Sequence, residues 1–161
     1  MAHTLVLIRH AKSDWSGDEE DIDRPLAKRG RKQAPESGAW IAANLSLDLA
    51  VVSPAERAQS TWQLIAGSLD DVPEVRIDDR VYAAWGRELL SVVRDLPESV
   101  TTVALVGHNP GLEDLANELT GSWVAMPTSA VAVIDLPGNW ASAGPGAVLR
   151  AAGRPPATPK P

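Results

Sequence analysis

A chain of 161 residues, 44% hydrophobic and 22% charged, is long enough for one domain with its own core. A net charge of −6, with no basic stripe outside one short helix, argues against a nucleic-acid surface. The absence of cysteine removes disulfides and thiolate metal sites and fits a reducing compartment, and no stretch approaches the roughly 18 apolar residues of a membrane span.

In chain order, "TLVLIR" (4–9) reads as a buried strand that ends on Arg9 and His10. The apolar run is too short for a signal segment and ends in a charge, so no export signal is expected and a cytoplasmic location follows. His3 precedes the strand with no evident partner and reads as incidental. The acidic stretch "GDEEDID" (17–23) is a loop: a solvated connection, or a rim that filters partners by charge, with the first favoured. A helix is expected over about 27–44. Pro35 either kinks it or sits in the first turn of a main helix that begins there, and the second reading is preferred. "LAVVS" (49–53) is a second buried strand, followed by a helix over 54–69. Helices are expected at 87–96 and 111–120, strands at "TVALVG" (102–107) and "AVAVIDL" (130–136), and a returning edge strand at 147–152 after the Gly/Pro-rich loop 137–146. The sequence thus predicts one domain over 1–153 and a disordered tail over 154–161.

Near-continuous apolar strands alternating with helices predict an α/β fold: a three-layer sandwich, with a mostly parallel central sheet and helices on both faces. In such sheets ligands bind outside the carboxyl ends of parallel strands. Three strand ends carry chemistry-bearing residues: Arg9-His10, "SPAERAQST" (53–61) and "GHNPG" (107–111). Ser53, Pro54 and Glu56 form a capping-box pattern that places Arg57 in the first turn of a helix. Asn109 and Pro110 read as the cap and first residue of the next helix, just after His108. Two helix N-termini, two arginines and two histidines converging on one crevice make an anion site, and the forked geometry of arginine suits phosphate. Lys12 and Ser13 are close enough in sequence to reach the same anion. Each motif alone is more often a chance match; the three in order, each at a strand end, are not.

These corners resemble the histidine phosphatase superfamily, the group that includes phosphoglycerate mutases and many phosphatases. Its signature is Arg-His-Gly after the first strand, then Ser-Pro-x-x-Arg-Ala-x-x-Thr, then Gly-His-x-x. More narrowly, "RHAKSDW" (9–15), "DRPLAKRG" (23–30) and "GHNPGLEDLA" (107–116) are similar to the short SixA-type phosphohistidine phosphatases. The resemblance implies a phosphoglycerate mutase-like fold over about residues 4–136. It implies that His10 is the nucleophile, forming a phosphohistidine, that Arg9, Arg57 and His108 hold the phosphoryl oxygens, and that no cofactor or metal takes part. Two histidines without a carboxylate set are a poor metal site in any case.

Two departures stand out. Ala11 replaces the family's glycine, so the backbone there should not need positive φ. Many members carry a glutamate that protonates the leaving group; around Tyr82 to Ala84 there is none, and only Asp78, Asp79 and Glu88 flank the region. An alkoxide leaving group needs a proton, whereas the imidazole of a phosphohistidine can leave as a neutral molecule once protonated by solvent or substrate. The expected partner is therefore a phosphorylated protein bearing a phosphohistidine domain, with a small phosphate ester as the alternative and a non-catalytic phosphate-binding module as a third reading. A monomer or weak dimer is expected, with neither nucleic acid nor membrane as a partner.

Overall fold

The structure, a computed structural model, describes residues 2–159. Its strands are β1 (His3–Arg9), β2 (Leu49–Val52), β3 (Glu74–Ile77), β4 (Thr102–Gly107), β5 (Val131–Leu136), β6 (Val148–Gly153) and β7 (Pro156–Ala157), and its helices are α1 (Lys28–Asn44), α2 (Glu56–Ala66), α3 (Gly86–Arg94) and α4 (Gly111–Thr120). All seven strands form one sheet in the order β3-β2-β4-β1-β5-β6-β7. β1 to β4 run parallel, and β5, β6 and β7 are added antiparallel on the far side of β1. The sheet is therefore mixed, with its parallel half carrying the three strand ends singled out in the sequence.

Alternation along β1 explains the layers. Leu5 and Leu7 point to one face, where they pack with Leu89, Val93, Leu112 and Leu115 of α3 and α4. Val6 and Ile8 point to the other, where they meet Ile41 of α1 and Trp62 and Ile65 of α2. Both faces of the central strands are covered, which is why their sequences are apolar without a break. Each such side chain contributes about 1.5–3 kcal/mol on full burial.

Several expectations are corrected. α1 is one helix of 17 residues with Pro35 inside it, not a helix that begins near Pro35. The lost backbone bond is outweighed because the helix is held against α2: a Cβ on Gly38 would lie 2.9 Å from the Ile65 Cα, and Ala34, Ser37 and Ile41 are buried around it. β3 was not expected. All four of its residues are exposed, so it lacks the buried-strand pattern and is recognisable only through its pairing with β2. Of the tail expected from residue 154, Pro156–Ala157 pair with β6 instead of being disordered. Gly153, at φ 133°, allows the chain to reverse there, and Arg154 Nη1 donates to the Thr128 carbonyl at 2.7 Å. Residues 160–161 of that tail lie outside the described residues. His3 is not incidental: it is 2% exposed, its Nδ1–H donates to the Gly138 carbonyl at 2.9 Å, and its ring tilts against Trp140 at 4.6 Å.

Candidate functional site

Register places the three corners together. Arg9 lies opposite Gly107 in the β1–β4 pair, and Val52 lies opposite Val106 in the β2–β4 pair. The residues that follow these strands therefore emerge side by side at one edge of the sheet. They enclose a cavity of about 260 Å³ lined by Arg9, His10, Lys12, Ser13, Arg57, His108 and Asn109, together with Trp15, Arg24 and Thr128. All seven site residues expected from the sequence are thus brought together.

His10 is 7% exposed. Its Nδ1 lies 2.8 Å from the carbonyl of Ala11. A carbonyl can only accept, so Nδ1 carries the proton and Nε2 carries the lone pair. Desolvation is the main cause that pushes His10 down to about 4; the bond to Ala11 opposes it, and Arg57, Arg9 and Arg24 add to it. The backbone at this corner is pinned as well. His10 N–H donates to the Gly107 carbonyl, Ser129 N–H donates to the His10 carbonyl at 3.1 Å, and Ala11 N–H donates to the Thr61 hydroxyl at 2.9 Å. Ala11 is not among the residues with positive φ, which apart from glycines are Ala83 and Ser129 among the described residues.

The second ring, His108, lies 5.1 Å from His10 between centroids. Burial, then the neighbouring His10 and Arg57, push it down to about 3, with Asp21 opposing. Its Nε2 meets the Ser53 hydroxyl at 2.7 Å. Ser53 Oγ also accepts from Ala55 N–H; when its own proton is directed to Nε2, the ring proton sits on Nδ1. This corrects the capping-box expectation: α2 begins at Glu56 after Ala55, and the Ser53 hydroxyl serves the site instead of closing a box with Glu56. Asn109 is likewise not the cap of α4. Pro110 occupies that place, and Asn109 Nδ2 donates to the Met126 carbonyl at 2.8 Å.

The arginines are held from behind. Arg9 Nη1 donates to the same Met126 carbonyl at 3.2 Å, and Met126 N–H is fixed by Glu113 at 2.7 Å. Arg57 Nη1 donates to the Asp21 carbonyl at 2.6 Å and Nη2 to the Asp21 carboxylate at 3.0 Å. Arg9 Nε and Arg57 Nε are buried without partners, as are His108 Nδ1 and Asn109 Oδ1. Buried donors without partners are rare in folded proteins; two guanidinium N–H groups in one cavity wall fit an anion with several acceptor oxygens. Among the described residues no group of three or more His, Asp or Glu is placed to hold a metal ion, and no helix is long and apolar enough to cross a membrane.

Residues 5–87 match the pattern of the histidine phosphatase superfamily, branch 1. An uncharacterised protein of Mycobacterium tuberculosis is 35% identical over 151 residues, covering 86% of this chain and 93% of that protein. The chain belongs to the histidine phosphatase superfamily. Among solved structures, a protein assigned as the phosphohistidine phosphatase SixA of Nakamurella multipartitia has a TM-score of 0.83 at 29% identity, covering 95% of this chain and 96% of that one. Another so assigned, from Agrobacterium tumefaciens, has a TM-score of 0.74 at 30% identity over 83% and 92% of the two chains.

In this superfamily member the acidic loop is more than a solvated connection. Asp21, from the short 3-10 turn 21–23, takes hydrogen bonds from Arg24, Arg57 and the Tyr82 hydroxyl. Arg24, 8% exposed, also donates to Ser13 and stacks on the Trp15 ring at 3.5 Å. Neither Asp21, Arg24, Trp15 nor Tyr82 was legible as a site residue. Arg24 sits in "DRPLAKRG", but nothing in its spacing aims it at His10; the fold of the 12–26 segment does so, through the Ser13–Leu26 bridge.

Proposed function

We propose that this protein is a phosphatase that uses His10 as nucleophile and acts on phosphohistidine in proteins. The carrying observation is the fixed tautomer of His10. With Nδ1–H bound to Ala11, the Nε2 lone pair is available inside a cavity walled by Arg9, Arg24 and Arg57. Nε2 attacks phosphorus as the bond to the leaving group breaks and its electron pair departs with that group. Arg9, Arg57 and a proton on His108 Nδ1 stabilise the equatorial oxygens. Water then attacks the phosphohistidine, the P–N bond returns its pair to Nε2, and inorganic phosphate leaves with the water's oxygen.

The P–N preference rests on the lining of the cavity. No carboxylic acid is among its lining residues. Asp21, the carboxylate that grips Arg57, is held well below the ordinary range, first by the Tyr82 hydroxyl and then by Arg24 and Arg57, so it has no proton to give. Two of the acids noted in the sequence are engaged elsewhere, Glu88 accepting from Trp85 N–H at 2.9 Å and Asp78 pairing with Arg80 at 2.8 Å, and the third, Asp79, does not line the cavity. An ester would have to expel an unprotonated alkoxide. A phosphohistidine whose distal ring nitrogen carries a proton expels a neutral imidazole, and transfer between two histidines is close to thermoneutral.

The test is phosphate release from a phosphohistidine-bearing carrier protein beside p-nitrophenyl phosphate, with His10→Ala as control. Faster loss from the carrier, and none with the variant, is the expected result. Equal or faster ester cleavage would redirect the reading to a small metabolite, and binding without turnover would leave a phosphate-binding module.

A further inference from the structure

A second cavity, of about 150 Å³, adjoins the first. It is lined by Ala83, Ala84, Trp85 and Pro110 and by two residues that also line the catalytic cavity, His108 and Asn109. The two therefore share a wall. In contrast to the arginine-lined chamber, the walls beyond that seam are a methyl-bearing loop, an indole and a proline ring.

The loop 83–86 is held in place rather than draped. Ala83 adopts φ 55°, a left-handed conformation disfavoured for a residue with a Cβ. A Cβ on Gly111 would lie 2.4 Å from the Ala84 carbonyl, so α4 and this loop are in close backbone contact. Glu88 fixes Trp85 N–H. The indole itself is 66% exposed.

Both seam residues carry a buried polar atom without a partner, His108 Nδ1 and Asn109 Oδ1, and the second can only accept. Asn109 Nδ2 donates to the Met126 carbonyl, which fixes the orientation of the amide, because only the nitrogen end can donate. Oδ1 is thereby turned the other way, and it is buried without a partner. A buried acceptor at the junction of a phosphate chamber and an apolar chamber calls for a ligand with an N–H or O–H on an otherwise apolar, flat body.

We propose that this second cavity is the leaving-group subsite, that it takes the imidazole ring of a phosphohistidine, and that Asn109 Oδ1 accepts the ring N–H while Trp85 covers the ring. The proposal rests on the phosphohistidine reading and adds the recognition of the group that departs. A phosphoimidazole protonated on its distal nitrogen loses neutral imidazole: the electron pair of the breaking P–N bond stays on the departing nitrogen, the distal nitrogen keeps its proton, and the new P–N bond forms at His10. An acceptor on that distal N–H favours the protonated form. It supplies without any acid what a carboxylic acid supplies to an ester.

The experiment compares two small P–N probes on the full chain: phosphoimidazole, whose leaving group has a ring, and phosphoramidate, whose leaving group is ammonia. The readout is the ratio of their kcat/KM values in the parent, in Asn109→Leu and in Trp85→Ala, with thermal unfolding as the measure of folding. Asn109→Leu keeps the volume and removes the acceptor; Met126 retains the bond from Arg9. We expect the ratio to fall at least tenfold in Asn109→Leu, and several-fold through KM in Trp85→Ala, whose side chain is exposed enough to be removed without loss of fold. An unchanged ratio in both variants, with the parent active on both probes, overturns the subsite and leaves the phosphohistidine reading intact. A parent that cleaves p-nitrophenyl phosphate but neither P–N probe nor a phosphohistidine carrier overturns both.

Discussion

Asp21 grips Arg57 twice, with its main-chain carbonyl on Nη1 at 2.6 Å and its carboxylate on Nη2 at 3.0 Å. A further guanidinium donor, Nε, is buried without a partner. Asp21→Ala is expected to lower kcat/KM for phosphohistidine by about 10- to 100-fold, the loss typical of a misplaced positioning contact. Asp21→Asn, which keeps the carbonyl bond and an acceptor, should recover much of it. Steady-state kinetics on both variants checks this, and a recovery no better than alanine would show that the negative charge itself is needed.

Stability should fall as pH drops from about 6.5 toward 4.5. His10 is pushed down to about 4 and His108 to about 3 in the folded protein. In the unfolded chain both titrate near 6.5, so below that pH the unfolded state binds more protons. The contribution is fully present above pH 6.5 and is lost through this window, on the order of 3 kcal/mol for His10 alone at its limit. Denaturant titrations across the window should show a shallower slope for His10→Gln than for the parent.

The same depression sets the acid limb of the reaction. In the proposed reaction His10, pushed down to about 4, stays unprotonated well below the usual range of histidine. Single-turnover phosphoryl transfer to His10 should therefore persist at pH 5.5. An acid limb centred at 6.5 would mean that the ring is solvated and protonated when substrate binds.

Glu88→Gln keeps an acceptor for Trp85 N–H and removes an acid; Asp79→Asn removes another. Neither carboxylate lines the cavity, so kcat on a P–N substrate should stay within about twofold of the parent. A general acid would cost about 100-fold or more on removal, a difference that a single progress curve resolves.

Gly30 tests the packing behind the site. Glycine to alanine in a helix ordinarily stabilises by up to about 1 kcal/mol. Here the added Cβ would stand 2.1 Å from the Lys12 carbonyl, which is backbone and cannot swing away. Overpacking costs about 1–3 kcal/mol and should win. A lower thermal midpoint and slower turnover are expected together, because the displaced segment is the one that follows His10.

The sequence made the parallel half of the sheet and the Arg9–His10–Arg57–His108 group legible because both rest on local rules: apolar strands, and charged residues at their ends. What it hid depends on long-range contact. β3 has no buried face to betray it. Ser53 satisfies the capping rule on paper, yet its hydroxyl meets His108, 55 residues away. Asp21 looks like one of several loop acids, and only the fold sets it between Arg24, Arg57 and Tyr82. Pro35 argues for a helix start until the close contact of Gly38 with α2 is known.

Arg9, His10, His108 and Asn109 sit where β1 and β4 end and Arg57 in the helix that follows β2, so the opposite rim of the sheet is spare. The α1–β2 connection lies on that rim, and Ser46 within it is exposed. Because the chain contains no cysteine, Ser46→Cys would create a single thiol pointing away from the chemistry. A dye or a surface attached there would report on, or immobilise, a protein whose entrance still faces solution.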